Sequence, residues 1–237
     1  MGAPAAIRQT RRDPLSHGRF FMAVCFDLDG VLIDTMPLHA QAWQEALRPF
    51  ELAVSRRSIY AWEGEPGTVT ARTLLSRNGH VPSRHMVDSL LHEKERRFAR
   101  LAGQIRINPQ LLALLGRLSR QGIRLGLVTG TSSREIARVL SRSVLVQFDA
   151  IVTGDRVRRG KPYPDAYHAA FRTLRVPAAS AVVVENAPYG ITAARRARAG
   201  LVVALASSLP RAYLRHAHVT VGTVGRLCAL LERVTAD

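Results

Sequence analysis

The chain has 237 residues, 47% of them hydrophobic and 22% charged, which is long enough for a large domain or a core plus a smaller one and too apolar to stay disordered. No apolar run reaches the length needed to cross a bilayer. The formal charge is +16, yet only Lys94 and Lys161 are lysines and the arginines are spread through nearly every predicted helix. That spread argues against a dedicated nucleic-acid face, while still allowing the field to steer anionic substrates.

Residues 1–19 carry Arg8, Arg11, Arg12 and Arg19, have no periodicity and lack the apolar core of a secretory signal. They are expected to form a basic N-terminal extension, either a frayed tail or a targeting segment. Cys25 and Cys228 lie in apolar contexts and are expected to be buried free thiols in a reducing, cytoplasmic compartment.

From Phe20 to Phe26 the sequence is unbroken apolar, the pattern of a strand buried on both faces of a parallel sheet. It ends in Asp27-Leu28-Asp29-Gly30. Two acids on alternate residues at the end of a buried strand repel each other unless a cation or a proton intervenes. An isolated Asp-Gly is commonly a solvated turn. Here the core strand before it and the helix after it place the acids at the carboxyl edge of an α/β sheet, where ligands bind. Asp34 or Thr35 can cap that helix, Pro37 suits its first turn, and Trp43 and Leu47 share a face.

Residues 36–120 then read as almost entirely helical. Met36–Arg48 has an apolar side of Leu38, Trp43 and Leu47. A further helix runs through Arg72–Leu75, and Val81-Pro82-Ser83 opens a charged helix around His92–Arg100. Pro109–Arg120 carries leucines at core spacing. From residue 121 strands and helices alternate. Strands are expected at Ile123–Val128, Phe148–Val152, Ala181–Val184, Leu201–Ala206 and His218–Val221. Helices are expected at Glu135–Leu140, Pro164–Leu174, Ile191–Ala199 and Val224–Val234. Such units make a doubly wound, Rossmann-like parallel sheet with right-handed crossovers. The long helical stretch after the first strand exceeds any ordinary connection. It is expected to be an inserted helical cap, residues 36–107, on a core made of residues 20–35 and 108–237. Placed over Asp27, it would exclude water from a reactive site.

The other strand ends carry polar residues. Thr129, with the amides of Gly130 and Thr131, can cradle a phosphate; alternatively the segment is an ordinary helix start capped at Ser132 or Ser133. Lys161 lies in Gly160-Lys161-Pro162-Tyr163-Pro164-Asp165, where it is a compact point charge able to offset phosphate and carboxylate together. Asp165 suits a helix start better than catalysis. Glu185 and Asn186 close the strand that begins at Ala181.

Phe26-Asp27-Leu28-Asp29-Gly30-Val31-Leu32-Ile33-Asp34-Thr35 resembles the first motif of the haloacid dehalogenase superfamily, in its β-phosphoglucomutase and phosphatase branch. Thr129, the Lys161-Pro162-Tyr163-Pro164-Asp165 segment and Glu185-Asn186 resemble the second, third and fourth. The resemblance implies that Asp27 is a nucleophile forming an aspartyl-phosphate, that Asp29 is the general acid/base, and that Mg²⁺ sits between them. Asp27, the backbone carbonyl of Asp29 and either Glu185 or Asn186 would supply its protein oxygens. Asn186 departs from the aspartate common at that position and removes one negative charge.

His39 and Trp43 are similar to residues of the cap's first helix in this branch; otherwise they are a surface histidine and a core aromatic. In mutases of the group an arginine of the cap loop grips the sugar's distal phosphate. Here Glu63-Gly64-Glu65-Pro66-Gly67 offers two glutamates, with Arg56, Arg57 and Arg72 near in sequence.

The function expected is a Mg²⁺-dependent phosphatase of a small phosphorylated metabolite, sugar phosphates among them, working as a monomer or weak dimer. A phosphomutase is the first alternative. A basic, non-catalytic nucleic-acid-binding module on the same fold is the alternative from another class. Dehalogenation has no use for Asp29, and phosphonate cleavage would need Lys94 as its cap lysine.

Overall fold

A computed structural model describes residues 20–102, 105 and 107–236. The basic extension expected at residues 1–19 lies outside the described residues. The first strand, β1 (Ala23–Phe26), is fully buried. Helices α1 (Met36–Leu47), α2 (Arg56–Ala61), α3 (Gly67–Arg77), α4 (Arg84–Leu101) and α5 (Pro109–Arg120) follow it. The chain then alternates through β2 (Arg124–Val128), α6 (Ser133–Val139), α7 (Arg142–Leu145), β3 (Ala150–Val152), α8 (Asp165–Leu174), β4 (Ala181–Glu185), α9 (Pro188–Arg196), β5 (Leu201–Leu205), β6 (Val219–Val221) and α10 (Val224–Thr235).

The six strands form one parallel sheet in the order β3-β2-β1-β4-β5-β6. Strand order reverses direction at β1, so the crevice between the ends of β1 and β4 is the switch point where ligands bind such sheets. The period of two along each strand divides the core. Val24, Phe26, Val182 and Val184 face one apolar layer, and Ala23, Cys25, Ala181 and Val183 face the other. Burial leaves Cys25 a thiol whose pKa is raised to about 12, and Cys228 is likewise buried and free.

Local chemistry explains where the elements begin. The charged helix α4 starts at Arg84 because the Ser83 hydroxyl accepts the Met86 amide at 3.2 Å. Helix α6 starts two residues earlier than its apolar pattern predicts, because Ser132 and Glu135 close a reciprocal capping box. The third strand is shorter than expected. Asp149, just before it, uses both its amide and its carboxylate on Leu125, at 2.8 Å each, in place of a ladder position.

Helices α1 to α4 pack round an apolar cluster of their own that includes Trp43, Leu47, Ile59, Leu74, Leu75, Val87 and Leu90. The chain leaves the sheet through Ile33 and returns through Ile107, and these two residues form an antiparallel bridge. The Asn108 amide also donates to the Leu32 carbonyl at 3.3 Å. Exit and return thus run side by side, leaving the helices above the carboxyl edge of β1.

Candidate active site

The end of β1 delivers Asp27 and Asp29 into the switch point, where they are 4% and 3% exposed. From the loop before α8, the Lys161 ammonium reaches Asp27 Oδ1 at 2.6 Å, Glu185 Oε1 at 2.7 Å and the Val128 carbonyl at 3.3 Å. An ammonium has three protons, and each has an acceptor. Tyr167, on α8, donates its hydroxyl to the same Glu185 oxygen. Burial pushes the Asp27 carboxyl up, and the Glu185 and Asp29 charges add to this, while Lys161 opposes it. Burial would lower Lys161, but the two carboxylates outweigh it and hold the ammonium charged.

Asp29 has a separate set of partners. The Thr35 hydroxyl donates to Oδ1 at 2.5 Å, His39 Nε2 lies 3.1 Å from the same oxygen, and the Thr131 hydroxyl donates to Oδ2 at 2.8 Å. Burial alone would raise its pKa, but His39 and the two hydroxyls hold it well below the carboxylate range. Thr129 sits at the end of β2 beside Asp29. Its hydroxyl is 3.5 Å from Asp29 Oδ2 and accepts the Thr131 amide at 3.0 Å, so it shapes the loop that delivers Thr131.

Glycines allow the close packing. At Gly30, where φ is +79°, a Cβ would fall 2.0 Å from the Asn186 side chain. At Gly190 it would fall 2.0 Å from the Glu185 carboxylate. Asn186 is 1% exposed, and neither its Oδ1 nor its Nδ2 has a hydrogen-bond partner among the described residues. A buried amide left unpaired costs about 1–3 kcal/mol, so its retention points to a ligand. Glu185 is already committed to Lys161 and Tyr167. No cluster of three or more His, Cys, Asp or Glu side chains able to hold a metal occurs among the described residues. A hard cation that keeps several waters needs only Asp27, the Asp29 carbonyl and the Asn186 amide oxygen, and the open amide fits it.

On the helical side, His39 is not a surface histidine. It is 6% exposed, because Phe98 of α4 stacks on its ring at a centroid distance of 4.1 Å. Trp43 packs in the helical cluster and lines a cavity of about 190 Å³ beside Asp29, together with Glu63, Lys94, Gly130 and Thr131. A Cβ on Gly64 would fall 2.8 Å from the Lys161 side chain and one on Gly130 would fall 3.6 Å from Gly64, so the α2–α3 loop lies down on the sheet edge. Arg56, Arg57 and Arg72 are exposed and do not line the cavity. Three side chains of the site have roles that the sequence does not assign: the Thr35 hydroxyl, expected only as a cap, the Thr131 hydroxyl, where only the amide is expected to act, and Tyr167. Thr35 begins α1 without a side-chain capping bond, and its hydroxyl goes to Asp29 instead.

A family model described as haloacid dehalogenase-like hydrolase matches residues 21–198. The chain belongs to the haloacid dehalogenase-like hydrolases. A phosphorylated carbohydrates phosphatase of Thermotoga maritima is 32% identical over 180 residues, covering 74% of this chain and 81% of that protein. A β-phosphoglucomutase of Bacillus subtilis is 29% identical over 181 residues, covering 74% and 79%. The crystal structure of a hydrolase from Pseudomonas syringae superposes with a TM-score of 0.80 at 26% identity, over 91% of this chain and all of that one. As in other haloacid dehalogenase-like hydrolases, the sheet is Rossmann-like, and no helix among the described residues is long and apolar enough to cross a membrane.

Proposed function

We propose that this hydrolase cleaves phosphomonoesters of small hydroxylated metabolites, sugar phosphates among them, through an aspartyl-phosphate on Asp27. The convergence of Asp27, Lys161 and Asp29 within one buried switch point carries this conclusion. An Asp27 oxygen attacks phosphorus, and the bond to the leaving oxygen breaks as Asp29 gives that oxygen a proton. Asp29 takes up this proton as the anionic ester arrives, since a nearby negative charge favours its neutral form. In the second half Asp29 accepts a proton from water, the water oxygen attacks phosphorus, and phosphate leaves Asp27.

Lys161 offsets the charge gathered on Asp27 and the phosphoryl oxygens, with Glu185 and Tyr167 fixing its position. Thr35, Thr131 and His39 orient Asp29. Asp27, the Asp29 carbonyl and Asn186 would hold Mg²⁺, which supplies Lewis-acid stabilisation of phosphoryl oxygens when bound. Helices α1 to α4 serve as the cap, residues 36–107, that keeps bulk water from the acyl-phosphate. Two buried free thiols accord with a reducing, cytoplasmic setting.

A mutase reading has the Bacillus subtilis relative in its favour, but no arginine among the described residues lines the cavity that would receive a second phosphate. Phosphate release from a sugar monophosphate, followed with and without Mg²⁺, tests the assignment. Release of inorganic phosphate is the expected result, and an isomerised sugar phosphate without release would favour the mutase.

A further inference from the structure

The cavity beside Asp29 holds about 190 Å³, room for roughly six water-sized units, the scale of a compact polyol. Its lining includes His39 and Thr131, which both bond to Asp29, the acid that would protonate the leaving oxygen, so it is where a leaving group would lie. Its charge is the inverse of the chain's. Glu63, Glu65, Glu95 and Glu135 line it; Lys94 is the one lysine, and there is no arginine among the described residues that line it. Yet the whole chain has 34 lysines and arginines against 18 acids. Arginine is not kept out of the neighbourhood: just beyond Glu95 and Glu135, a groove of about 490 Å³ is lined by Arg96, Arg100, Arg134 and Arg138. Composition therefore does not explain the carboxylate-lined cavity.

The four carboxylates differ in how far they are already committed. Glu65 accepts the Thr70 hydroxyl at 2.9 Å, and Glu135 closes the capping box of α6. Glu95 is exposed at the rim and has no hydrogen bond or ion pair among the described residues. Glu63 is half-buried at the α2–α3 turn. Burial raises its pKa, with Asp29 adding to the rise and His39 and Lys94 opposing it. The Lys94 ammonium is 5.2 Å from the Phe98 ring centre and 6.0 Å from that of Trp43, a stacked position that lacks a forked guanidinium's two-point grip on phosphate.

We infer that this cavity selects phosphomonoesters whose leaving group is a compact polyol bearing an amine, and turns away those bearing a second phosphate. This rests on the phosphatase reading and sharpens it. An ammonium in this cavity gains from the carboxylates that outnumber Lys94, a neutral polyol gains only hydrogen bonds, and a second phosphate meets four carboxylates against the single Lys94 ammonium.

The test measures phosphate release by the full chain with Mg²⁺ from glucosamine 6-phosphate, glucose 6-phosphate and fructose 1,6-bisphosphate at fixed ionic strength, with p-nitrophenyl phosphate as reference. The kcat/KM for the amino sugar should exceed that for glucose 6-phosphate about tenfold, and that for the bisphosphate about a hundredfold. Glu95→Gln should cut the amine preference about threefold, and Glu95→Arg should raise bisphosphate turnover by at least as much. Equal rates for the amine and the neutral sugar, or a bisphosphate cleaved as fast as either, overturn the inference. In that event, aryl phosphate turnover that Asp27→Asn abolishes still supports the phosphatase reading. Failure to cleave any of the four esters removes both.

Discussion

The two walls of the site hold their charges in different ways. On the sheet side Lys161, Asp27 and Glu185 are at most 4% exposed, and the Lys161 ammonium, brought in by the loop before α8, is paired with both carboxylates at the ends of β1 and β4. On the helical side Glu95 is exposed, Lys94 is half-buried, and Glu63 sits in a turn. A buried, fully paired network resists change, because removing one member strands the others in a medium of low polarity. A half-solvated wall can exchange side chains at little cost to the fold. The sheet side therefore fixes the chemistry, and the helical side is free to set selectivity.

Substitutions on the sheet side should break the protein or its chemistry outright. Asp27→Asn should lower kcat for any phosphomonoester by about 10³-fold or more while leaving the melting temperature near its starting value, since it removes the proposed nucleophile, keeps the shape and leaves Lys161 paired with Glu185. Lys161→Met should cost about 3–5 kcal/mol of stability as well as activity, because Asp27 and Glu185 would then face each other unpaired; thermal unfolding at neutral pH measures it. Asn186→Asp sharpens the comparison from the other direction. A further negative charge in the proposed metal set should lower the Mg²⁺ concentration for half-maximal activity about tenfold, as read from titration of the chelator-stripped protein.

The smallest effect lies beside the site. Asp155 accepts the Ser133 amide at 3.0 Å and the Ser133 hydroxyl at 2.6 Å, bonds that with Thr153 lower its pKa to about 2. A depressed pKa in the folded state means the stabilisation is present above the unfolded carboxylate's value, near 4, and is lost as pH falls through about 2. Asp155→Asn should therefore cost at most about 1 kcal/mol at pH 7, and the difference from the parent should vanish across that window in pH-dependent unfolding.

How much of this was legible in the chain follows the same division. Apolar runs ending in Asp27, Thr129 and Glu185 announce strand ends, because a parallel strand buried on both faces tolerates polar atoms only where it stops. Lys161 stands out between Gly160 and Pro162 in a chain otherwise saturated with arginine. Glu185 and Asn186 were not separable, since neighbours at a strand end point to opposite sides and only the arrival of Lys161 and Tyr167 shows which is already bound. Thr35 and Thr131 carry no local signal that distinguishes a capping hydroxyl from one aimed at Asp29. His39 stays open in the sequence between a cap-site residue and a surface histidine, until Phe98, on a helix distant in sequence, closes over it.

Trapping the covalent intermediate tests the central claim most directly. The protein is mixed with a ³²P-labelled sugar monophosphate, quenched within one turnover and digested, and the labelled peptide is sequenced by mass spectrometry. The label is expected on the peptide carrying Asp27 and absent from the Asp27→Asn protein. Label on another residue, or full turnover by Asp27→Asn, would contradict the account.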